Sequence, residues 1–206
     1  MAFDEKKVEG AYSADIQNAS VRALAQAGRD QTIFQPEWLP DGEQIVFYRR
    51  DKTAHPSHVI VRNVDTGAER ELETGQDAAG FIDTAISPDG RQLAFRAAAA
   101  LGIVPIAGGA PLELFRSNAT GGRLNFLGWS PDSLHLIFET TQRMGLRNVN
   151  REVWRIPAGG GERTKLASDQ FQAEKFQFHP DGRRIAYSAT EGGGMEIWAL
   201  ENLLPK

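Results

Sequence analysis

Four segments share one pattern of apolar and polar positions and align without gaps: Pro36 to Arg50, Asp83 to Ala97, Phe126 to Thr140 and Lys175 to Ala189. Each carries a Pro-Asp pair, at Pro40, Pro88, Pro131 and Pro180, so the spacings are 48, 43 and 49 residues. Two positions before the proline stand Trp38, Ile86, Trp129 and Phe178. Five positions after it stand Ile45, Leu93, Leu136 and Ile185, and seven after it Phe47, Phe95, Phe138 and Tyr187. Between those two columns lie Val46, Ala94, Ile137 and Ala186. A run that is apolar at every position predicts a strand buried on both faces. The column holding Trp38 and Trp129 is expected in the core.

The Pro-Asp-Gly between the columns is a turn with a mechanism. Proline pre-sets the first corner, aspartate bonds backbone amides further on, and glycine takes the left-handed position that closes the hairpin. Ser133 replaces that glycine in the third repeat, so a strained turn is expected there. Each repeat continues with strand-like runs. These are His58 to Asp65 and Ala68 to Gly75, then Gly102 to Gly109 and Ala110 to Ser117, then Glu152 to Gly160 and Gly161 to Ser168. After the fourth repeat only Met195 to Asn202 follows before the last four residues, which leaves that unit with three strands. The N-terminal segment Glu9 to Gln26 ends in Ser20 to Gln26, which reads as an outer strand. It would either close the fourth unit or be the remnant of a further one. A short helix capped by Asn18 is the competing expectation, since Ala, Leu, Arg and Gln are good helix formers.

A period of about 40–50 residues fits one four-stranded propeller blade. The expected fold is therefore all-β, a β-propeller of four-stranded antiparallel blades with four repeats visible and the ring either closed or partial. Residues 1–30 form the N-terminal segment and residues 31–206 the four-repeat propeller. At Trp129-Ser-Pro-Asp, Phe178-His-Pro-Asp-Gly and Ile86-Ser-Pro-Asp-Gly the chain resembles the WD-like repeat of TolB-type bacterial β-propellers, over about residues 32 to 202. The ending from Met195 to Lys206 is similar to propeller modules that close larger bacterial chains, after a protein kinase or a winged-helix regulator. The resemblance implies a family that includes the periplasmic TolB component and the gating propellers of prolyl-oligopeptidase-like peptidases. Its members usually have six or more blades. Fold alone transmits no activity.

Composition narrows the field. The 206 residues carry 23 Lys+Arg and 27 Asp+Glu, a net charge of -4, so the totals show no basic footprint for nucleic acid. No cysteine is present, which excludes disulfides, thiolate catalysis and cysteine metal sites. No run approaches the roughly 18 apolar residues of a membrane span, and the charged N-terminus lacks the apolar core of a secretory signal. The expected location is cytoplasmic as written, or periplasmic as part of an exported parent chain.

Catalytic patterns do not emerge. There is no Gly-x-Ser-x-Gly elbow and no phosphate-binding loop, and the glycine clusters fall between strands. Asp41, Asp89, Asp132 and Asp181 sit in equivalent turns, too far apart for an acid–base pair. His55 and His58 stand three apart with Asp51 nearest, but solvated loop histidines are the expectation, with no metal and no cofactor. His135 and His179 read as surface and turn positions. Two loops look longer than a hairpin needs, Tyr48 to His58 and Glu139 to Val153. Binding residues concentrate on such loops over a rigid frame. The candidates are Arg49, Arg50, Lys52, His55 and His58 in the first, and Arg143, Arg147, Asn148, Asn150 and Arg151 in the second. They give one rim a basic character suited to a protein, an acidic peptide or an anionic ligand, with no nucleic acid and no membrane insertion. An open ring would also self-associate. The mouth of the central channel is the other default site. The expected function is a non-catalytic binding or scaffold module. The alternatives are a sensory propeller within a larger signalling protein and a propeller lyase or hydrolase with a channel site.

Overall fold

The computed structural model describes residues 9–53, 57–75, 81–97, 99–117, 123–143, 149–168, 176–179, 184–191 and 194–200. All regular structure among them is antiparallel β, in two compact units, Met1–Gly80 and Phe81–Lys206. No helix among the described residues is long and apolar enough to cross a membrane.

In the first unit, β1 (Gly10–Ala14) and β2 (Val21–Gln26) pair as a hairpin. A four-stranded meander follows: β3 (Gln31–Trp38), β4 (Gln44–Asp51), β5 (Ser57–Asn63) and β6 (Glu69–Leu72), hydrogen-bonded in chain order. The helix expected as an alternative after Asn18 does not form. Asp15 Oδ1 accepts the amides of Gln17 and Asn18, and Asn18 Oδ1 accepts the amide of Ser20, so both side chains build the hairpin turn. Leu24 and Ala25 of β2 and Ala11 of β1 then pack on Ile33, Ile45, Phe47 and Ile60. That burial outweighs helix propensity, which is a weak local preference.

Among the described residues, the second unit holds two four-stranded meanders and a third of three strands. The first has β7 (Phe81–Ile86), β8 (Gln92–Ala97), β9 (Ala100–Pro105) and β10 (Leu112–Arg116). The next has β11 (Arg123–Trp129), β12 (His135–Arg143), β13 (Val149–Pro157) and β14 (Thr164–Ser168). The last has β15 (Phe176–Phe178), β16 (Ile185–Glu191) and β17 (Gly194–Leu200).

The repeat columns are structural columns. Ile45, Leu93 and Leu136, with Val46, Ala94 and Ile137, are fully buried on the second strand of each complete sheet. Ala94, Leu101 and Ile103 share one cluster with Leu124, Leu136, Phe138 and Ile156 of the next sheet. The turns repeat as well. Gly42 and Gly90 take φ of 70° and 73° and donate to the carbonyls of Leu39 and Ser87. Ser133 holds the same left-handed position at φ 62°, as its replacement of glycine predicts. Its side chain gives something back, because Ser133 Oγ accepts the backbone N–H of Asp89 at 3.1 Å and links adjacent turns. Asp181 and the rest of the fourth Pro-Asp-Gly lie outside the described residues.

Trp38 departs from expectation. It pairs with Ile45 just as Trp129 pairs with Leu136, yet it is 46% exposed while Trp129 is 5% exposed. The difference lies in the preceding sheet. Trp129 packs in the cluster that includes Ala85 of β7, and its indole N–H donates to the Ala85 carbonyl at 2.9 Å. The element preceding β3 is the two-strand hairpin β1–β2, which offers no counterpart of β7. Trp129→Ala should therefore cost about 3–5 kcal/mol, whereas Trp38→Ala should cost less than about 1 kcal/mol. Urea denaturation of both variants checks this; equal losses would show that the column, and not the neighbouring strand, sets burial.

Candidate binding site

Both presumed loops turn out shorter than the sequence suggests. The ladder of β4 and β5 runs out to Arg50 opposite Ser57, and that of β12 and β13 to Arg143 opposite Val149. Arg49, Arg50, His58, Arg143, Asn150 and Arg151 thus stand on paired strands near their ends, because the hydrogen-bond register continues past the apolar columns. Lys52 lies just beyond β4. His55, Arg147 and Asn148 lie outside the described residues. The two groups fall in different compact units.

In the first unit most of these cations already have anions. Arg49 forms a two-pronged pair with Glu69, 2.9 Å on each side, and Arg62 reaches the same carboxylate at 2.7 Å. The hydrogen bond from Arg49 holds the Glu69 carboxyl below its ordinary pKa against the opposing effect of burial, and Arg62 adds to it. Lys52 lies 3.7 Å from Glu9, and His58 Nδ1 lies 2.7 Å from Glu71. Arg50 stacks on the Phe34 ring at 5.1 Å, and no carboxylate pairs with it among the described residues.

The second unit gathers more. Asn125 Nδ2 donates to Glu139 at 2.9 Å, and Arg151 donates to the same oxygen at 3.3 Å. Glu139 is 2% exposed, and burial raises its pKa against the lowering effects of Asn125 and Arg151. His135, expected at the surface, is instead half-buried. Burial lowers its pKa, Arg155 lowers it further, and Asp132 opposes both. Beside the ends of β10, β12 and β13 opens a cleft of about 280 Å³, lined among others by Phe115, Arg116, Thr141, Gln142, Asn150 and Arg163. Of the candidates among the described residues, Asn150 lines it. The Arg163 guanidinium lies over the Trp154 ring at 4.0 Å and the Phe115 ring at 4.4 Å. Among the described residues no carboxylate pairs with it. Arg163 and Glu139 escaped the sequence reading. Glu139 left a signal, a carboxylate directly after the apolar column at Phe138. Arg163 left none, because its partner Phe115 is remote in the chain.

No protein-family model matches the chain. A curated relative, the uncharacterized protein Atu1656 of Agrobacterium fabrum, is 26% identical over 200 residues, covering 91% of this chain and 61% of that protein. The chain thus spans about three fifths of the length of the curated relative it matches. Among solved structures it is similar to a putative TolB from Agrobacterium tumefaciens. The TM-score is 0.62 at 19% identity, over 96% of this chain and 72% of the other. It is also similar to an oligogalacturonate lyase in complex with manganese. There the TM-score is 0.71 at 12% identity, over 91% of this chain and 58% of the other. At these identities the likeness defines the fold, which is a TolB-like β-propeller fold.

Glu139 gives a prediction with a definite sign. A carboxyl whose folded pKa is raised contributes stability that is complete below its unfolded pKa and is lost as pH rises through the folded value. Glu139→Gln keeps an acceptor for Asn125 without the buried charge. Its melting temperature should exceed that of the parent at pH 8 and match it near pH 4. A variant less stable at pH 8 would show that the Arg151 pairing outweighs desolvation.

Proposed function

We propose that this chain is a non-catalytic binding module that recognises a carboxylate-bearing partner, a protein or acidic peptide, through cations at strand ends of the propeller frame. The observation that carries this reading is a group of arginines near strand ends, Arg50, Arg143 and Arg163, which are among those with no carboxylate in pairing distance among the described residues. Arg50 sets its guanidinium carbon 5.1 Å from the Phe34 ring centroid and Arg163 4.0 Å from that of Trp154, cation–π contacts that leave N–H donors able to bond. Guanidinium groups bind carboxylates with two parallel hydrogen bonds, so these arginines suit a carboxylate ligand. Such binding must weaken with salt, since exposed charge pairs are screened within roughly 8–10 Å at physiological ionic strength.

Calorimetric titration with poly-glutamate should show binding at low salt that weakens markedly by half-molar salt. Poly-lysine should not bind. No heat with poly-glutamate at low salt would overturn the reading. The catalytic alternative has its own assay. Incubation with oligogalacturonate and manganese should leave the oligosaccharide intact, and appearance of an unsaturated product would make the chain a lyase.

A further inference from the structure

We propose that the cleft between β10 and the β12–β13 strand ends is a dedicated site for one acidic side chain of an extended peptide, with Arg163 as its anchor. This rests on the reading of the chain as a carboxylate-binding module and assigns that recognition to one place.

Three observations converge on the cleft. Arg163, exposed just before β14, sets its guanidinium carbon 4.4 Å from the Phe115 ring of β10 and 4.0 Å from the Trp154 ring of β13. A guanidinium resting against two rings loses less rotamer freedom on binding, so more of the gain from a two-pronged carboxylate contact survives as affinity. Glu152 also lines the cleft, but Lys165 Nζ sits 2.5 Å from its Oε1 and neutralises it. Arg116 is likewise engaged, by Glu113. The second observation is Asn150. Its Oδ1 is buried without a hydrogen-bond partner among the described residues. A buried acceptor without a donor is unfavourable, so it favours a ligand that brings one. The third is the form of the walls. β10 is an edge strand of its sheet, and its Phe115 and Arg116 line the cleft together with Ser117 just beyond it. An edge strand presents main-chain groups to an extended segment.

Together these fix the chemistry of the ligand. It needs a carboxylate for Arg163 and an N–H for Asn150, in an extended chain of two or three residues that fits about 280 Å³. A glutamate or aspartate side chain with its neighbouring peptide N–H meets both needs. A uronic acid sugar meets them less well. Sugar rings dock on open aromatic faces, and Arg163 already covers Phe115 and Trp154.

The probe is the capped peptide acetyl-Ala-Glu-Ala-Glu-Ala-amide, compared with its Gln-for-Glu counterpart and with trigalacturonate. The readout is the Trp154 indole N–H resonance, identified through Trp154→Phe. The acidic peptide should shift that resonance and the neutral peptide should not. Arg163→Gln should weaken binding about tenfold or more, and Asn150→Ala about threefold. Arg91→Gln, in the exposed turn between β7 and β8, should change it less than twofold. Three results would overturn the assignment. Trigalacturonate could bind in place of the peptide, or Arg163→Gln could bind as the parent does. The peptide could also bind while Trp154 stays still, which would leave the broader reading intact and move the site elsewhere. No binding of any acidic probe would remove both. Melting temperatures of the variants separate lost binding from lost fold.

Discussion

The second strand of each complete sheet has to be buried on both faces. Ile45 to Phe47, Leu93 to Phe95 and Leu136 to Phe138 meet that demand, each within a few percent of full burial. Burial of this kind is the main favourable term in folding. It also leaves no room for chemistry in the middle of a sheet, because a polar group there needs a partner. Polar groups that can meet a partner therefore belong at strand ends and edges, where Arg49, Arg50, His58, Arg143, Asn150 and Arg151 stand.

The limit is visible where the apolar run breaks. Eight positions after the proline stand Tyr48, Arg96 and Glu139, all buried. Each is answered across the ladder. Tyr48 stacks on Phe34 with ring centroids 5.3 Å apart, Arg96 pairs with Asp83 at 2.7 Å, and Glu139 accepts from Asn125. The same column thus changes from aromatic to cationic to anionic while the frame stays constant. Beyond it the arginines divide. Arg49 and Arg62 hold a carboxylate of their own sheet, whereas Arg163 spends its ring face on aromatics and keeps its donors.

Much of the frame is legible in the sequence, because the sheets repeat. Four Pro-Asp pairs in register with apolar columns specify turns, second strands and sheet order without any long-range knowledge. The failures share one cause. Trp38 looks like Trp129 in its own strand, but its burial is decided by a strand of the preceding sheet. Arg49 reads as a free loop cation until Glu69 arrives from two strands away. Arg163 has meaning only beside Phe115, 48 residues earlier. Local pattern gives the strand, and contact between sheets decides which side chains are sealed, paired or available.

The central claim is an inert frame with function at its ends. Hydrogen exchange resolved by residue, with and without the acidic peptide, tests it most directly. The account predicts slow exchange along Ile45 to Phe47, Leu93 to Phe95 and Leu136 to Phe138, unchanged by ligand. It predicts new protection at 115–117, 140–143 and 149–152. Ligand-induced change centred on the apolar columns, with none at those strand ends, would contradict it.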